Sequence, residues 1–144
     1  MPETLEGVDQ EVFDSIQEAL TADRLAYLTK WNKNFYNLDE NLGTRLSEQA
    51  VQDAWNVATA ASSAGTIACV PTWKTDFRAD LPKIDIPVLV MHGSSDRVLP
   101  IDACGARTHE AIADSEYVVV DGAPHGLSWT HAEEVNAELL RFFK

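Results

Sequence analysis

Two apolar runs in the second half of the chain each end in a glycine-led polar loop. The first is Val88-Leu89-Val90-Met91, led in by Pro87 and stopped by Gly93. Four consecutive apolar residues, two of them valine, predict a strand buried on both faces, as in a parallel sheet. The second run lies in Glu116 to Asp121 (Glu-Tyr-Val-Val-Val-Asp) and stops at Gly122. Asp76 to Ile84 is predicted as a short helical approach to the first strand, and Ile101 to Ala113 as a helix with Pro100 just ahead of it. From His131 to Phe143 the pattern is amphipathic, with Val135, Leu139, Leu140 and Phe143 on the predicted buried face. Thr130 with Glu133 three residues on reads as a capping box for that helix. The order strand–helix–strand–helix predicts a right-handed parallel βαβ unit.

The first seventy residues follow a helical period. Val12, Phe13, Ile16 and Leu20 fall on one helical face behind Asp9, a fair N-cap. Leu25, Leu28, Trp31 and Phe35 mark a second helical stretch, and the polar and aromatic segment Asn32 to Gly43 reads as a loop. Ser47 caps a third helix that lines up Val51, Ala54, Trp55 and Ala58. From Ala61 to Trp73 the pattern weakens, with helix favoured ahead of Pro71. No convincing strand occurs in this part.

Composition narrows the functional classes. A hydrophobic content of 45% with 24% charged residues is that of a globular chain of one-domain size. Eleven basic against 23 acidic residues give a net charge of −12, which argues against nucleic acid and against anionic membrane surfaces as partners. Cys69 and Cys104 lack metal-ligand spacing and are expected to be free buried thiols. No apolar run approaches a membrane span, and the start of the chain is acidic, without the basic and apolar pattern of a leader. A cytoplasmic location is the default expectation.

Chemistry is expected in the two loops. In open α/β sheets the loops past the carboxyl ends of strands carry it. Asp96 stands three residues beyond Gly93, and His125 stands in Gly122-Ala123-Pro124-His125-Gly126. Taken singly, Asp96 could cap a turn and His125 could be a surface histidine. Taken together, Asp and then His form the back half of the Ser…Asp…His order, in which the carboxylate orients the imidazole and the imidazole deprotonates a serine.

The segments His92-Gly93-Ser94-Ser95-Asp96-Arg97-Val98-Leu99-Pro100 and Gly122-Ala123-Pro124-His125-Gly126-Leu127 resemble the C-terminal half of α/β-hydrolases of the cofactor-free (non-haem) haloperoxidase group, which includes aryl esterases and perhydrolases. The group's loop reads roughly His-Gly-Asp-x-Asp-x-x-Val-Pro. Its second Asp, a triad member, falls on Asp96, and Ser94 replaces the first. The group's Ala-Pro-His-Gly puts the triad histidine at His125. The resemblance is best from about Asp76 to Lys144 and looser before that. It implies an α/β fold: a helical cap over residues 1–73, then the last two parallel strand–helix units over 74–144. It also implies catalytic roles for Asp96 and His125, no cofactor and no metal. The substrate it implies is a small ester or carboxylic acid, with a peracid as product when hydrogen peroxide is the acceptor.

One part of that chemistry is missing. A serine hydrolase of this fold needs a Gly-x-Ser-x-Gly elbow on a strand-to-helix turn. No such motif occurs, and the nearest relaxed match, Ala61-Ser62-Ser63-Ala64-Gly65, follows a helix. Three functions therefore compete: half of a serine hydrolase whose partner is an N-terminal half carrying the nucleophile, an inactive fragment that forms a homo-oligomer, or a non-catalytic interaction module. A metal site built from His92, His109, His125 and His131 matches no usual ligand spacing. His92 is expected to cap or pack, and His109 and His131 to lie on the surface.

Overall fold

The computed structural model describes residues 9–144. Helix α1 (Gln10–Phe35) joins the two predicted helical stretches across a kink at Asp23, whose backbone leaves the helical region. Asp23 recaps the second stretch, its Oδ1 accepting the Ala26 N–H at 3.0 Å. Asp9, the expected cap, makes no side-chain cap bond. Leu20 and Leu28 are buried, whereas Val12 and Leu25 are exposed. The expected loop after Asn32 is ordered instead. The helix runs to Phe35, and the single turn α2 (Leu38–Asn41) follows a left-handed Asn37.

Helix α3 (Glu48–Ala60) starts as read from the sequence, with Ser47 Oγ accepting the Ala50 N–H at 3.1 Å. Its inner face of Val51, Ala54, Trp55 and Ala58 is half-buried. Trp55 Nε1 donates to Thr29 Oγ1 at 3.1 Å, which ties α3 to α1. Arg24 spreads its guanidinium over the carbonyls of Ala58, Thr59 and Ala61, occupying orphan acceptors at the end of α3. Helix α4 (Ser63–Cys69) is capped by Ser62 and passes into a 3-10 turn, Val70–Lys74, that accommodates Pro71. Cys69 is exposed and Cys104 half-buried, so burial of both thiols is corrected while both remain free.

Strand β1 (Leu89–Gly93) pairs in parallel with β2 (Glu116–Val120), in register from Leu89 opposite Glu116 to Gly93 opposite Val120. Leu89 to Met91 are only half-buried, because among the described residues two strands make up the whole sheet. Between them, the predicted helix is split into a 3-10 turn at Ile101–Ala103 and α5 (Gly105–Ala111). Cys104, between the two pieces, leaves the helical region (φ −127°, ψ −80°), and a Cβ on the following Gly105 would land on the His92 ring. The helical approach to β1 shrinks to a 3-10 turn at Leu81–Lys83.

The chain ends in α6 (Leu127–Thr130) and α7 (Ala132–Phe142). Thr130 closes α6 rather than capping α7, and no side chain caps α7, so the capping box does not form. Val135 is the buried residue of α7; Leu139, Leu140 and Phe143, expected inside, are exposed. The helical period was read correctly, but the described sheet is too small to cover that face. Of the two histidines expected at the surface, His131 is buried and His109 is half-buried. His109 stacks on Tyr117, its Nδ1 2.7 Å from Ser115 Oγ, and His131 is buried against Thr130.

Candidate active site

Both strands end at the same level, and the loops beyond them are stitched together by main chain. The Ser94 N–H donates to Val120 O and the Ser95 N–H to Ala123 O, each at 3.0 Å. Gly93 lets the loops come this close, since a Cβ there would strike the Ala123 carbonyl. Ser94 adds a side-chain link: its Oγ accepts the Gly122 N–H at 2.7 Å and donates to Asp121 Oδ1 at 3.3 Å. Gly122 turns the second loop with a positive φ of 68°.

Asp96 and His125 meet between these loops. Asp96 Oδ2 accepts from His125 Nδ1 at 2.8 Å, and Oδ1 accepts the Val98 and Leu99 N–H groups at 2.8 and 2.9 Å. The Asp96 side chain is 4% exposed and the His125 ring 28%. Burial pushes the carboxyl up. The His125 hydrogen bond, the Leu99 and Val98 amides and the His125 charge outweigh it, so Asp96 titrates below the ordinary carboxylate value. With Nδ1–H committed to the carboxylate, a neutral His125 has its lone pair on Nε2, the form a general base requires.

The helical segments close one side. Gly126 N–H donates to Phe35 O at 2.8 Å, and the Phe35 ring meets the His125 ring edge-on at 4.9 Å. Asn37 Nδ2 donates to Ser95 O at 2.8 Å from a fully buried position. Arg97 pairs with Asp39 at 2.6 Å and Glu40 at 2.5 Å. A cavity of about 500 Å³ lies where the two parts meet, lined by Phe13, Trp31, Trp73, Val98, Leu99, Cys104 and His125. Its walls are apolar, and His125 is its basic group. Burial pushes the Cys104 thiol up, and the Asp96 charge adds to this against Arg107. Cys104 therefore faces the cavity as a thiol, not as a thiolate nucleophile.

Sequence reasoning placed Asp96 and His125 but missed two contributors. His92, expected to cap or pack, reaches the Asp96 turn: its Nε2 lies 3.0 Å from Leu99 O and 3.2 Å from Asp96 Oδ2. Asn37, inside the segment read as loop, holds the Asp96 loop from the other side. Its signal was an asparagine directly after two aromatics, and asparagine is the non-glycine residue most at ease in the left-handed region. Among the described residues no serine hydroxyl hydrogen-bonds His125. Ser63 is exposed in the first turn of α4.

Comparison with known proteins gives a consistent picture. The profile of the alpha/beta hydrolase fold family matches residues 1–132. A putative non-heme chloroperoxidase of Synechocystis sp. is 50% identical over 139 residues, 96% of this chain and 50% of that protein. The crystal structure of bromoperoxidase from Bacillus anthracis superposes with a TM-score of 0.90 at 39% identity, covering 96% of this chain and 50% of that one. An esterase from Exiguobacterium antarcticum gives 0.84 at 28% identity, covering 94% and 48%. The chain thus spans about half the length of the curated relatives it matches. Among the described residues no helix is long and apolar enough to cross a membrane.

Proposed function

Because the chain belongs to the α/β-hydrolase family, we propose that it supplies the acid and base half of a serine-hydrolase site of the esterase and non-haem haloperoxidase type. Asp96 orients His125. His125 Nε2 takes the proton of a serine hydroxyl as that oxygen attacks an ester carbonyl, then returns the proton to the departing alkoxide. Water, or hydrogen peroxide in its place, next attacks the acyl-enzyme with His125 again as base, releasing a carboxylic acid or a peracid. The substrate is a small ester or carboxylic acid whose apolar part enters the 500 Å³ cavity. Residues 1–73 act as the cap, with Phe13, Trp31 and Trp73 as its walls.

The observation that carries this reading is the buried Asp96–His125 contact of 2.8 Å, with Nε2 left for a nucleophile. No Gly-x-Ser-x-Gly occurs in these 144 residues, so the serine and the oxyanion donors come from a complementary N-terminal half. The test is p-nitrophenyl acetate hydrolysis with a fluorophosphonate label, run on this chain alone and with such a half. Turnover only in the combined sample, lost in Asp96→Asn and in His125→Ala, supports the proposal. Stoichiometric labelling of this chain alone, with Ser63 the first residue to examine, would relocate the nucleophile. No turnover with any complementary half would leave an inert, self-associating module as the function.

A further inference from the structure

We infer that His92 is a positioning residue for Asp96, an assignment that rests on the proposed Asp96–His125 chemistry. Both polar neighbours of His92 Nε2 are acceptors, the Leu99 carbonyl at 3.0 Å and Asp96 Oδ2 at 3.2 Å. Nε2 therefore carries a proton. That N–H donates to Leu99 O, while the Leu99 N–H donates to Asp96 Oδ1 at 2.9 Å. His92 thus holds Leu99 by its carbonyl while the same residue's N–H holds Asp96, so the ring steadies the turn on both sides of the Leu99 Cα. The positive end of the same N–H flanks Oδ2, the oxygen that faces His125.

The ring is held for this task from behind. Its side chain is 10% exposed, and Gly105 at the start of α5 leaves room for it where any Cβ would collide with Nδ1. A residue that merely filled the strand end would need no donor at Nε2 and no gap opposite Nδ1. His92 touches neither the cavity nor the nucleophile position offered by His125 Nε2; it acts through Asp96.

The test uses the proton resonance of His125 Nδ1–H, which a carboxylate partner shifts downfield, in the purified chain in whatever assembly it forms. In His92→Phe the resonance should move upfield or broaden away. In His92→Gln, which keeps an N–H donor, it should stay near its wild-type position. Asp96→Asn is the control for the underlying reading and should abolish it. With a complementary half present, His92→Phe should lower kcat about tenfold with KM unchanged, the scale of a small misplacement of a catalytic group, and His92→Gln should recover most of that. An unmoved resonance in His92→Phe overturns the assignment of His92 alone. An unmoved resonance in Asp96→Asn overturns the Asp96–His125 pairing instead. If His92→Phe fails to fold, loss of the resonance in a folded His92→Gln also counts against the assignment, since the donor alone should suffice.

Discussion

Gly93 and Val120 stand opposite each other at the ends of two parallel strands, and this register places Asp96 beside His125. Asp96 and His125 each lie a few positions past a strand, so ending both strands level brings two residues 29 apart in sequence to one point. The close approach depends on Gly93 lacking a side chain. In Gly93→Ala the new Cβ meets backbone, the Ala123 carbonyl, which cannot rotate out of the way. We expect a stability loss of at least about 1–3 kcal/mol by urea unfolding, the usual cost of overpacking. The His125 Nδ1–H resonance should disappear even where the variant still folds. Unchanged stability with the resonance intact would show that the loops can separate without cost to the pair.

The charge on Asp96 stabilises the fold, and its pH dependence has a definite sign. The folded chain holds this carboxyl below its ordinary value, whereas in the unfolded chain it titrates near about 3.9. A depressed carboxyl stabilises above the unfolded value, and that contribution is lost as pH falls through it toward the folded value. Asp96→Asn should therefore be less stable than wild type at neutral pH, by about 1–3 kcal/mol for hydrogen bonds to a charged group. The gap should narrow below about pH 4. Asp14, Asp39, Asp76 and Glu134 are also depressed but are common to both proteins and cancel in the difference. A gap that stays constant from pH 7 down to pH 3 would show that the charge is not the stabilising feature.

Asn37 couples the helical part to the Asp96 loop by two separable means. Its backbone is left-handed, with φ 46° and ψ 59°, and its amide donates to Ser95 O from full burial. Asn37→Gly removes the amide but accepts the backbone freely. Asn37→Ala removes the amide and adds left-handed strain of about 1–2 kcal/mol. Alanine should thus destabilise more than glycine, and both should cost about 1 kcal/mol or more for an unmet, partly buried carbonyl. Equal losses would mean that the backbone conformation relaxes. The reverse order would contradict the assigned geometry.

The parts of this fold legible in the sequence were those set by local pattern. The run before Gly93, the valines at 118–120 and Ser47 ahead of α3 specify their elements within a few residues. The meeting of Asp96 with His125 at 2.8 Å was legible only from the pair, since either residue alone reads as a turn cap or a surface histidine while two successive strand–loop units carrying Asp and then His do not. What escaped depends on neighbours distant in sequence. Position 105 admits no side chain because the His92 ring lies against it. Asn37 and Phe35 matter because the Asp96 and His125 loops pack on them. Leu140 and Phe143 read as buried by period and are exposed because amphipathicity predicts a face to be covered, not what covers it.

Those exposed side chains at the end of α7, with others at the strands, lead to an expectation about assembly. Ile86 is 68% exposed, Val119 46%, Leu140 65% and Phe143 79%. Arg141 reaches Glu116 at 2.6 Å, which fastens the end of α7 to the start of β2 and leaves Leu140 and Phe143 outward. Among the described residues each strand has one paired edge and one open edge. Parallel sheets are normally covered on both faces, and open edges recruit other strands. Fully burying one such side chain is worth about 1.5–3 kcal/mol, so several together drive association. Size-exclusion chromatography with light scattering should show the isolated chain as species larger than 15.9 kDa. An apolar dye should bind it, and an added complementary half should displace the dye and convert the mixture to one defined complex. Leu140→Ser with Phe143→Ser should weaken self-association while leaving the His125 Nδ1–H resonance in place, since neither residue lines the cavity. A compact monomer that unfolds cooperatively and binds no dye would show that these side chains need no partner.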